Sequence, residues 1–545
     1  MSDFQTTGDW AFDAGASDLE IFVRDCGAPL YAGMASLWVW WGHEYGTETK
    51  GILMSSTREV EHFDVLVVGA GVSGIGVAYH LKEQCQDKSF VILEGKGSFG
   101  GTWITHRYPG IRSDSDLHTY GYSFKPWTGP PLATAEEILK YMQEVIEENE
   151  LKQYIRYQHH IETAKWSSKD HTWTVEGVRK DTGEPVRFRC NFLWMCQGYY
   201  RHSTGYTPDW EGVDAFTGQI VHPQRWPEDL DYKDKDVIVI GSGSTMSTLV
   251  PAIAYDCKHV TVLQRSPTFF FPNRNKNEMA DELRKLNVDE TWIHEIVRRQ
   301  MVYTGNAFAK RAVEEPEVVR KELIGAVRQL LPEGYDVVTH FTPRYRPWQQ
   351  RITVAPDGDF FATIRDSKTT MVTDEIDRFT EKGIHLKSGK ELEADIIVTA
   401  TGLNLCVFGD IAFSVDEKSV DFSETITYRG MMFTDVPNMA WIFGYFRASW
   451  TLRVDLVGNF VCRILKHMNE KGFKAVIPSL RPEDRDMELL PWIGPENFNP
   501  NYVLRSIHLL PKSGNKPEWK HTQNYWEEKD VFPVIDLNGP EFVYQ

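Results

Sequence analysis

The amino-acid sequence predicts an α/β protein in which two parallel-sheet units are combined with a helical insertion. Three observations carry this prediction. Residues 64–93 show a strand, glycine turn, helix and strand, Val237 to Gln264 repeat that order, and residues 277–333 have helical periodicity. Because 545 residues are too many for one core, we expect several domains.

The first of these βαβ units has the glycine pattern of a dinucleotide-binding (Rossmann-like) fold. An apolar strand at 65–68 leads into Gly69, Gly71 and Gly74, and Glu94 ends the next strand. Such glycines permit a tight turn, the approach of a pyrophosphate and close helix packing, and the helix N-terminus favours negative charge. An acid about 20 residues further on accepts hydrogen bonds from ribose hydroxyls. This spacing favours a dinucleotide site over a purely structural glycine turn.

The second βαβ unit is less regular. It has Gly241 and Gly243, but Met246 occupies the place of the third glycine, where we expect a displaced helix or local repacking. Arg265 ends its second strand, and a guanidinium suits a 2′-phosphate, which favours NADPH over NADH. An ordinary solvated arginine is the alternative. Two nucleotide sites of different ribose chemistry imply electron transfer from a nicotinamide to a flavin.

Composition excludes several other classes of function. The net charge is −18 and the basic residues are scattered, which argues against nucleic-acid binding. The seven cysteines form no CxxC pair, so we expect reduced thiols, no metal site and a cytoplasmic location. A disulfide reductase is excluded for the same reason, because it would need a CxxC pair. No apolar run is long enough to span a membrane, and no signal peptide is apparent.

Two longer motifs narrow the class. Gly100 to Asp114 has the pattern GGxWxxxxYPGxxxD, and a second segment has FxGxxxHxxxWP, with its fixed positions at Phe216, Gly218, His222, Trp226 and Pro227. Both resemble the type I Baeyer–Villiger monooxygenases, and the second resembles their identifying signature. The likeness runs from about Phe63 to the C-terminus and is strongest to the ethionamide-activating monooxygenase group. The stretches that carry it are YPGIRSDSD (108–116), HPQRWPEDLDY (222–232), VTVLQRSPT (260–268) and IIVTATGLNL (396–405).

The resemblance implies FAD in the first site, NADPH in the second, and molecular oxygen as a co-substrate. In this family a peroxide formed on the flavin attacks a ketone, and a tetrahedral adduct rearranges to an ester or lactone; sulfides and thioamides are further expected substrates. Matching FTPRYRPWQQR to the family places the catalytic arginine at Arg351 and its carboxylate partner at Asp114. A guanidinium offers a fixed positive charge at every working pH. The residues alone do not distinguish Arg351 from Arg344 or Arg346, and Asp114 also suits a turn cap.

The resemblance also implies further binding residues. For FAD they are Gly69, Gly71, Ser73, Gly74, Glu94, Thr102, Trp103, Asp114 and Ile161. For NADPH they are Arg112, Asp114, Gly241, Ser242, Gly243, Ser244, Thr245, Arg265 and Ser266. For the substrate pocket they are Ser449, Trp450 and Thr451.

Two residues qualify these implications. His222 is expected to couple the two domains structurally rather than to act as a base. Gln350 stands where many family members have a lysine, so we expect weaker selectivity for NADPH.

The predicted domain layout is discontinuous. We assign residues 61–200 and 396–545 to the FAD domain, 201–276 and 334–395 to the NADPH domain, and 277–333 to the insertion. Residues 1–60 are predicted to be an extension of unknown role. The alternative is that residues 1–53 come from a start site wrongly placed upstream. Two rival functions remain: a flavin-containing N- or S-oxygenating monooxygenase, against which Trp226, Pro227 and Arg351 argue, and a nicotinamide-binding sensor without catalysis, suggested only by Met246. The substrate and the oligomeric state stay open.

Overall fold

The computed structural model describes residues 60–545, so the predicted extension and its alternative lie outside the described residues apart from Val60. The helices are α1 Val72–Gln84, α2 Thr102–Thr105, α3 Leu117–Tyr120, α4 Ala135–Glu148, α5 Ser244–Ile253, α6 Glu278–Lys285, α7 Glu290–Glu314, α8 Pro316–Gln329, α9 Val337–Phe341, α10 Asp359–Arg365, α11 Thr451–Lys471, α12 Asn501–Ser506 and α13 Tyr525–Val531. The strands are β1 Glu61–Val68, β2 Phe90–Leu93, β3 Ile155–Arg156, β4 His159–Ser167, β5 Thr172–Arg179, β6 Pro185–Met195, β7 Tyr200–Gly205, β8 Gln219–Val221, β9 Asp236–Ile240, β10 His259–Gln264, β11 Phe270–Asn273, β12 Thr353–Pro356, β13 Thr369–Thr373, β14 Ile376–Thr380, β15 Gly383–Leu386, β16 Glu391–Glu393, β17 Ile396–Thr399, β18 Leu403–Leu405, β19 Ala412–Val415, β20 Lys418–Ser419, β21 Thr427–Tyr428, β22 Met432–Phe433, β23 Met439–Trp441, β24 Val476–Pro478, β25 Leu489–Leu490, β26 Ser513–Gly514 and β27 Phe542–Tyr544.

The first sheet contains the first βαβ unit. Its nine strands run β20-β19-β4-β5-β6-β1-β2-β3, with β23 also paired to β6. β1 lies between β2 and β6 and is parallel to both, whereas β4, β5 and β6 form an antiparallel meander. All four residues of β2 are buried, as expected where helices cover both faces of parallel strands. Buried side chains of α1 and α11 form one core with this sheet.

The second sheet contains the second βαβ unit, and its five strands, in the order β13-β10-β9-β17-β8, are all parallel. Here the structure corrects the predicted domain boundary at residue 396. β17 pairs with β8 and β9, so residues 396–399 belong to the second sheet, in the domain predicted to bind NADPH, and not to the predicted FAD domain. A buried strand of four apolar residues carries no signal that says which parallel sheet it joins.

Two short strands connect the sheets. β7 follows β6 out of the first sheet, β18 follows β17 out of the second, and the two pair antiparallel. The chain therefore crosses between the domains twice at one place, which is where a relative movement of the domains would be transmitted.

The helical insertion consists of α6, α7 and α8. Arg298 of α7 is buried and donates hydrogen bonds to three carbonyl groups of the first domain, those of His118, Thr119 and Gly121. It also pairs with Asp455 of α11 at 3.3 Å. The insertion is thus attached to the first domain, although its sequence lies between segments of the second.

Candidate active site

The glycine turn after β1 forms a cradle at the N-terminus of α1. A Cβ atom on Gly69, whose φ is +102°, would lie 2.8 Å from the carbonyl oxygen of Cys196, and one on Gly74 would lie 1.8 Å from the Gly69 oxygen. The fold itself therefore requires both glycines. The nearest atom to a Cβ on Gly71 is at 3.6 Å, an ordinary contact, so the fold does not require this glycine. Its smallness leaves room for a phosphate at the helix N-terminus.

Glu94 and Lys96 lie beside this cradle. The buried Glu94 carboxylate accepts hydrogen bonds from the backbone N–H of Ala70 at 2.7 Å and of Lys96 at 2.9 Å, which hold it at the end of β2. The Lys96 ammonium donates to the Gly101 carbonyl at 3.3 Å and to Thr105. Burial lowers the pKa of Lys96, although Glu94 partly opposes that effect. The motifs did not identify Lys96, a cation well placed for a pyrophosphate.

A cavity of about 530 Å³ opens from this cradle, which we call the first cavity. It is lined by most of the predicted FAD residues, namely Gly69, Gly71, Ser73, Glu94, Thr102, Trp103, Asp114 and Ile161. Gly74 does not line it, because it packs the helix against the turn. Gln197 lines it as well, and neither polar atom of its buried side-chain amide has a hydrogen-bond partner among residues 60–545. Since buried amides almost always make hydrogen bonds, this side chain fits a polar ligand such as FAD.

Arg351 and Asp114 form a bidentate ion pair. The guanidinium donates from Nε to Asp114 Oδ2 at 2.6 Å and from Nη2 to Oδ1 at 2.7 Å. Ser244, at the N-terminus of α5, donates to the same carboxylate at 3.3 Å. Burial opposes ionisation of Asp114, but the charge and hydrogen bonds of Arg351 outweigh it and lower the pKa of the carboxyl. Asp114 in turn raises the pKa of Arg351 against the effect of burial, so both groups are charged.

A second cavity of about 1250 Å³ lies on the other side of this ion pair. The two cavities share Asp114, Ser115, Arg351 and Ala448 in their walls. The second cavity is lined by the insertion helix α7, by β11 with Arg274, and by the C-terminal segments 490–497 and 520–526. Arg351 therefore stands at the junction of a nucleotide cradle and a larger cavity, which sequence patterns could not indicate.

The three predicted pocket residues separate. Ser449 lines the second cavity and exchanges a hydrogen bond with Thr119 at 2.7 Å. Trp450 lines the first cavity instead, where its indole N–H donates to Ser73 at 2.7 Å and its ring stacks on Tyr199. Thr451 is buried at the start of α11, and its hydroxyl bonds to carbonyl groups of the first domain. It lines neither of the two cavities.

The second glycine turn forms a similar but altered cradle. Gly241 has φ +133°, and a Cβ there would lie 2.2 Å from the Ala400 carbonyl oxygen. A Cβ on Gly243 would meet nothing within 4 Å, so the fold leaves open space at the N-terminus of α5. Met246, in place of the third glycine, is fully buried in the core of the second domain, so the fold accommodates it by packing.

Some of the predicted NADPH residues around this cradle are exposed, and others already form hydrogen bonds or ion pairs within the protein. Arg265 and Ser266 are exposed after β10, and Ser242 donates to the Ser266 carbonyl at 3.3 Å. Arg112 pairs with Asp359 at 2.7 Å and lines the first cavity, together with Ser244 and Thr245. Gln350, at the position that weakens the NADPH prediction, contacts Asn499 at 3.5 Å.

The signature segment lies at the crossing between the domains. His222 Nδ1 accepts from the Gln224 N–H, and its Nε2 lies 3.1 Å from the carbonyl oxygen of Gly402, just before β18. Burial lowers the pKa of His222, so the ring is neutral at pH 7. Phe216 is buried in an apolar cluster with residues of β17. Gly218 must be a glycine, because a Cβ atom there would clash with the Asp395 carbonyl oxygen. Trp226 packs on Tyr232, and Pro227 is exposed. These residues line neither cavity.

Three tyrosines near Arg351 were not found from the sequence. Tyr199 donates from its hydroxyl to that of Tyr200 at 2.9 Å, and both line the first cavity. Tyr502 packs edge-on against Tyr200, and its buried hydroxyl has no partner among the described residues. Burial raises the pKa of each phenol, while the charge of Arg351 lowers it. None of the three tyrosines belongs to a recognised motif, so no local pattern marks them.

Residues 60–545 also bear on metal binding, disulfide bonds and membrane spans. No group of three or more His, Cys, Asp or Glu side chains there is arranged to hold a metal ion. The six cysteines in this part of the chain are free thiols. No helix in the same range is both long and apolar enough to cross a membrane.

Comparisons with known proteins agree with this geometry. A family model described as flavin-binding monooxygenase-like matches residues 62–283. The FAD-containing monooxygenase EthA of Mycobacterium tuberculosis is 46% identical over 467 residues, which cover 85% of this chain and 94% of that protein. The probable FAD-binding monooxygenase AlmA of Acinetobacter baylyi is 41% identical over 471 residues, covering 86% and 93%.

Solved structures confirm the predicted fold class. An oxidized steroid monooxygenase bound to NADP superposes with a TM-score of 0.71 at 22% identity, covering 89% of this chain and 99% of that one. Cyclohexanone monooxygenase from Rhodococcus, bound to NADP+, gives a TM-score of 0.69 at 20% identity, covering 89% and 99%. A flavin-type glycine cradle, a second nucleotide cradle joined to it through Arg351 and Asp114, and 46% identity over nearly all of EthA together place this chain in the family of flavin-binding monooxygenases.

Proposed function

We propose that this chain uses FAD, NADPH and molecular oxygen to convert ketones to esters or lactones, and that it also oxidises sulfides or thioamides. The observation that carries the proposal is the Arg351–Asp114 ion pair in the wall common to both cavities. Ketone oxidation builds negative charge on an oxygen, and a fixed guanidinium at that point stabilises it.

FAD fits the first cavity. Its pyrophosphate would lie at the N-terminus of α1 over Gly71, near Lys96, with Glu94 at the ribose and Gln197 free to bond a polar edge. NADPH fits the second cradle, with its pyrophosphate over Gly243 and the exposed Arg265 available to a 2′-phosphate. When bound, FAD would supply the redox chemistry, namely acceptance of a hydride from NADPH and activation of oxygen for transfer to the substrate.

Arg351 provides the electrostatic part of the reaction. Two of its five N–H groups are used by Asp114, so three remain to donate toward the cavities. When a substrate carbonyl carbon becomes tetrahedral, its oxygen gains negative charge, and these donors stabilise that charge without reorganising. The guanidinium keeps its proton throughout, because its pKa is raised beside Asp114 despite burial.

Asp114 orients the guanidinium. Both hydrogen bonds are short and come from one edge of the planar group, which leaves the other edge facing outward. The hydroxyl of Ser244 ties the carboxylate to the second cradle, so the ion pair contacts both nucleotide domains. We infer that a movement at the crossing held by His222 changes the position of this pair relative to NADPH.

The similar solved structures support the ketone assignment. One is cyclohexanone monooxygenase with cyclohexanone bound, and others are monooxygenases bound to NADP. Since these chains are about 20% identical to this one, they support the proposal through the fold and leave substrate choice to experiment.

The decisive experiment supplies purified protein with FAD, NADPH and isotopically labelled oxygen gas, together with linear, cyclic and aromatic ketones and one sulfide. We expect a yellow protein that produces esters or lactones carrying one labelled oxygen atom, with NADPH consumed in equal amount. A sulfoxide without any ester would identify an N- or S-oxygenating monooxygenase instead. Protein that stays colourless after reconstitution with FAD would refute the enzyme assignment.

A further inference from the structure

The second cavity has more basic than acidic side chains, although the chain as a whole has a net charge of −18. Its lining contains five basic side chains, Arg274, Lys310, Arg351, Arg447 and Lys520, and three acidic ones, Asp114, Asp116 and Glu496. A local positive excess in an acidic protein needs a reason, because counter-charges are abundant elsewhere on the surface.

Three of these cations are already paired. Arg351 pairs with Asp114 at 2.6 Å, Arg274 with Glu278 at 3.2 Å and Lys310 with Glu314 at 3.7 Å. Arg447 has neither an ion pair nor a hydrogen bond within residues 60–545, and its side chain is half-buried in the cavity wall. The exposed Lys520 has no carboxylate partner in that range either and lies in the lining of the same cavity.

The position of Arg447 is electrostatically unfavourable without a ligand. Burial, and the like charge of Arg346, lower the pKa of the Arg447 guanidinium, although an arginine stays charged in a protein. Desolvating an unpaired cation costs free energy that an anion in the cavity would recover. Arg447 directly follows the buried Phe446, and both residues line the second cavity.

The rest of the lining suits a hydrocarbon chain. Phe271, Met301, Phe308, Ile352, Val354 and Leu452 contribute apolar surface, and the volume of about 1250 Å³ exceeds that of most small-molecule pockets. The apolar walls begin next to Arg351, where the reacting carbonyl would lie.

We propose that the second cavity binds an amphipathic keto acid, with its carboxylate on Arg447, its chain on the apolar wall and its carbonyl beside Arg351. This inference rests on the proposed function and narrows its substrate class from ketones in general to ketones with an anionic end. A phosphate of NADPH is the other source of the same negative charge, and the experiment separates the two.

The first measurement compares one keto acid with its methyl ester. The acid is dodecanoate with a carbonyl next to its terminal methyl group, and the ester differs from it by one added methyl group and the loss of the negative charge. For each protein we take the ratio of kcat/KM for the acid to kcat/KM for the ester. In Arg447→Gln we expect this ratio to fall by about 10- to 100-fold, mainly through KM for the acid, as when a charged hydrogen bond is removed.

Two further variants make the comparison specific. Arg447→Lys keeps the charge and is expected to recover most of the ratio. Arg274→Gln removes a cation from the same cavity, but one already paired with Glu278, so its ratio should match that of the unmodified protein. A ratio that is unchanged in Arg447→Gln, or that falls equally in Arg274→Gln, refutes the proposal.

The second measurement does not depend on oxidation. Calorimetry on the FAD-loaded protein with NADP+ compares dodecanoate with dodecanol, and we expect at least about 10-fold tighter binding of dodecanoate, with the difference reduced by added salt. Equal binding of the two overturns the inference, even if the Arg447→Gln protein does not fold. A weaker affinity of Arg447→Gln for NADP+ with an unchanged dodecanoate affinity assigns the guanidinium to the cofactor and also overturns it. If dodecanoate binds as expected but no ketone is oxidised, the proposed function fails and the anion site stands.

Discussion

Replacing Arg351 by Gln should abolish most oxygenation while leaving reduction of the flavin by NADPH. Glutamine is neutral and cannot make the paired contact that Arg351 makes with Asp114 at 2.6 and 2.7 Å. Removing one preorganised donor from a site of developing negative charge costs about 2.7–4 kcal/mol, or roughly 100- to 1000-fold in kcat. We expect at least this loss for ketone oxidation, since a full charge is removed as well.

The partner residue provides a check on this magnitude. Asp114→Asn leaves the guanidinium charged but replaces one of the two acceptor oxygens by an NH2 group, so one of the two charge-assisted hydrogen bonds is lost, a kind of bond that contributes about 1.5–3 kcal/mol. We therefore expect a loss of roughly 10- to 150-fold from disorientation alone. Because the two residues act as one unit, the double variant should resemble Arg351→Gln rather than show the product of both losses.

The assay separates the two half-reactions. Anaerobic stopped-flow absorbance measures reduction of the flavin by NADPH, and chromatography measures ester formation in air. A kcat/KM for ketone oxidation in Arg351→Gln within a factor of about ten of the unmodified protein would refute the assigned role of Arg351. Strictly multiplicative losses in the double variant would show that Asp114 does not act through Arg351.

Three further predictions concern the second cradle and the buried histidines. Arg265→Ala should raise KM for NADPH by about 10-fold or more without changing KM for NADH, because the exposed guanidinium is proposed to bind the 2′-phosphate, which NADH lacks. Equal kcat/KM for the two nicotinamides in the unmodified protein would contradict this. Gly243→Val should weaken NADPH binding with little loss of thermal stability, since the added side chain fills space meant for the ligand. Gly241→Ala should destabilise the fold, because φ is +133° there and the Cβ would lie 2.2 Å from the Ala400 oxygen. Equal melting temperatures of the two variants would count against this difference. Burial, with the charges of Arg298 and His118, lowers the pKa of His294 from 6.5 to about 4, so the folded protein holds the neutral ring. Its stabilising effect is complete above pH 6.5 and is lost as the pH falls toward 4, by roughly 3 kcal/mol, and denaturation of His294→Gln across this range should show a flatter pH dependence.

The parts that were predictable from the sequence are those determined by local geometry. Gly69 and Gly74 are required because another carbonyl oxygen lies within 2.8 Å of any added Cβ, and such a need leaves a glycine at a set distance from a strand. Glu94 was also predictable, because an acid that binds the ribose lies at a set distance after the glycine turn. The segment 277–333 predicted to be helical contains α6 to α8, because its apolar residues repeat at three and four positions.

Other features depend on contacts between distant segments. Lys96, Gln197, Tyr199 and Tyr200 line the first cavity without belonging to any of the recognised motifs. Trp450 was assigned to the substrate pocket, yet its side chain reaches Ser73 in the first cradle, 377 residues away in sequence. The partition of residues 396–399 was wrong because four apolar residues fit either parallel sheet equally well.

By itself the sequence determined the class of this protein: two dinucleotide units of unequal regularity, a helical insertion, and a signature segment that resembles one family of monooxygenases. It could not distinguish Arg351 from Arg344 and Arg346, since all three lie within eight residues on one loop. The family resemblance pointed to Arg351, and the tertiary structure shows that this arginine meets Asp114. Only the tertiary structure shows that Arg447 lines the same cavity without a partner among residues 60–545. The physical reason is that glycine turns and helix periodicity are set by neighbours along the chain, whereas the pairing of a buried charge depends on which distant segments the packed cores bring together.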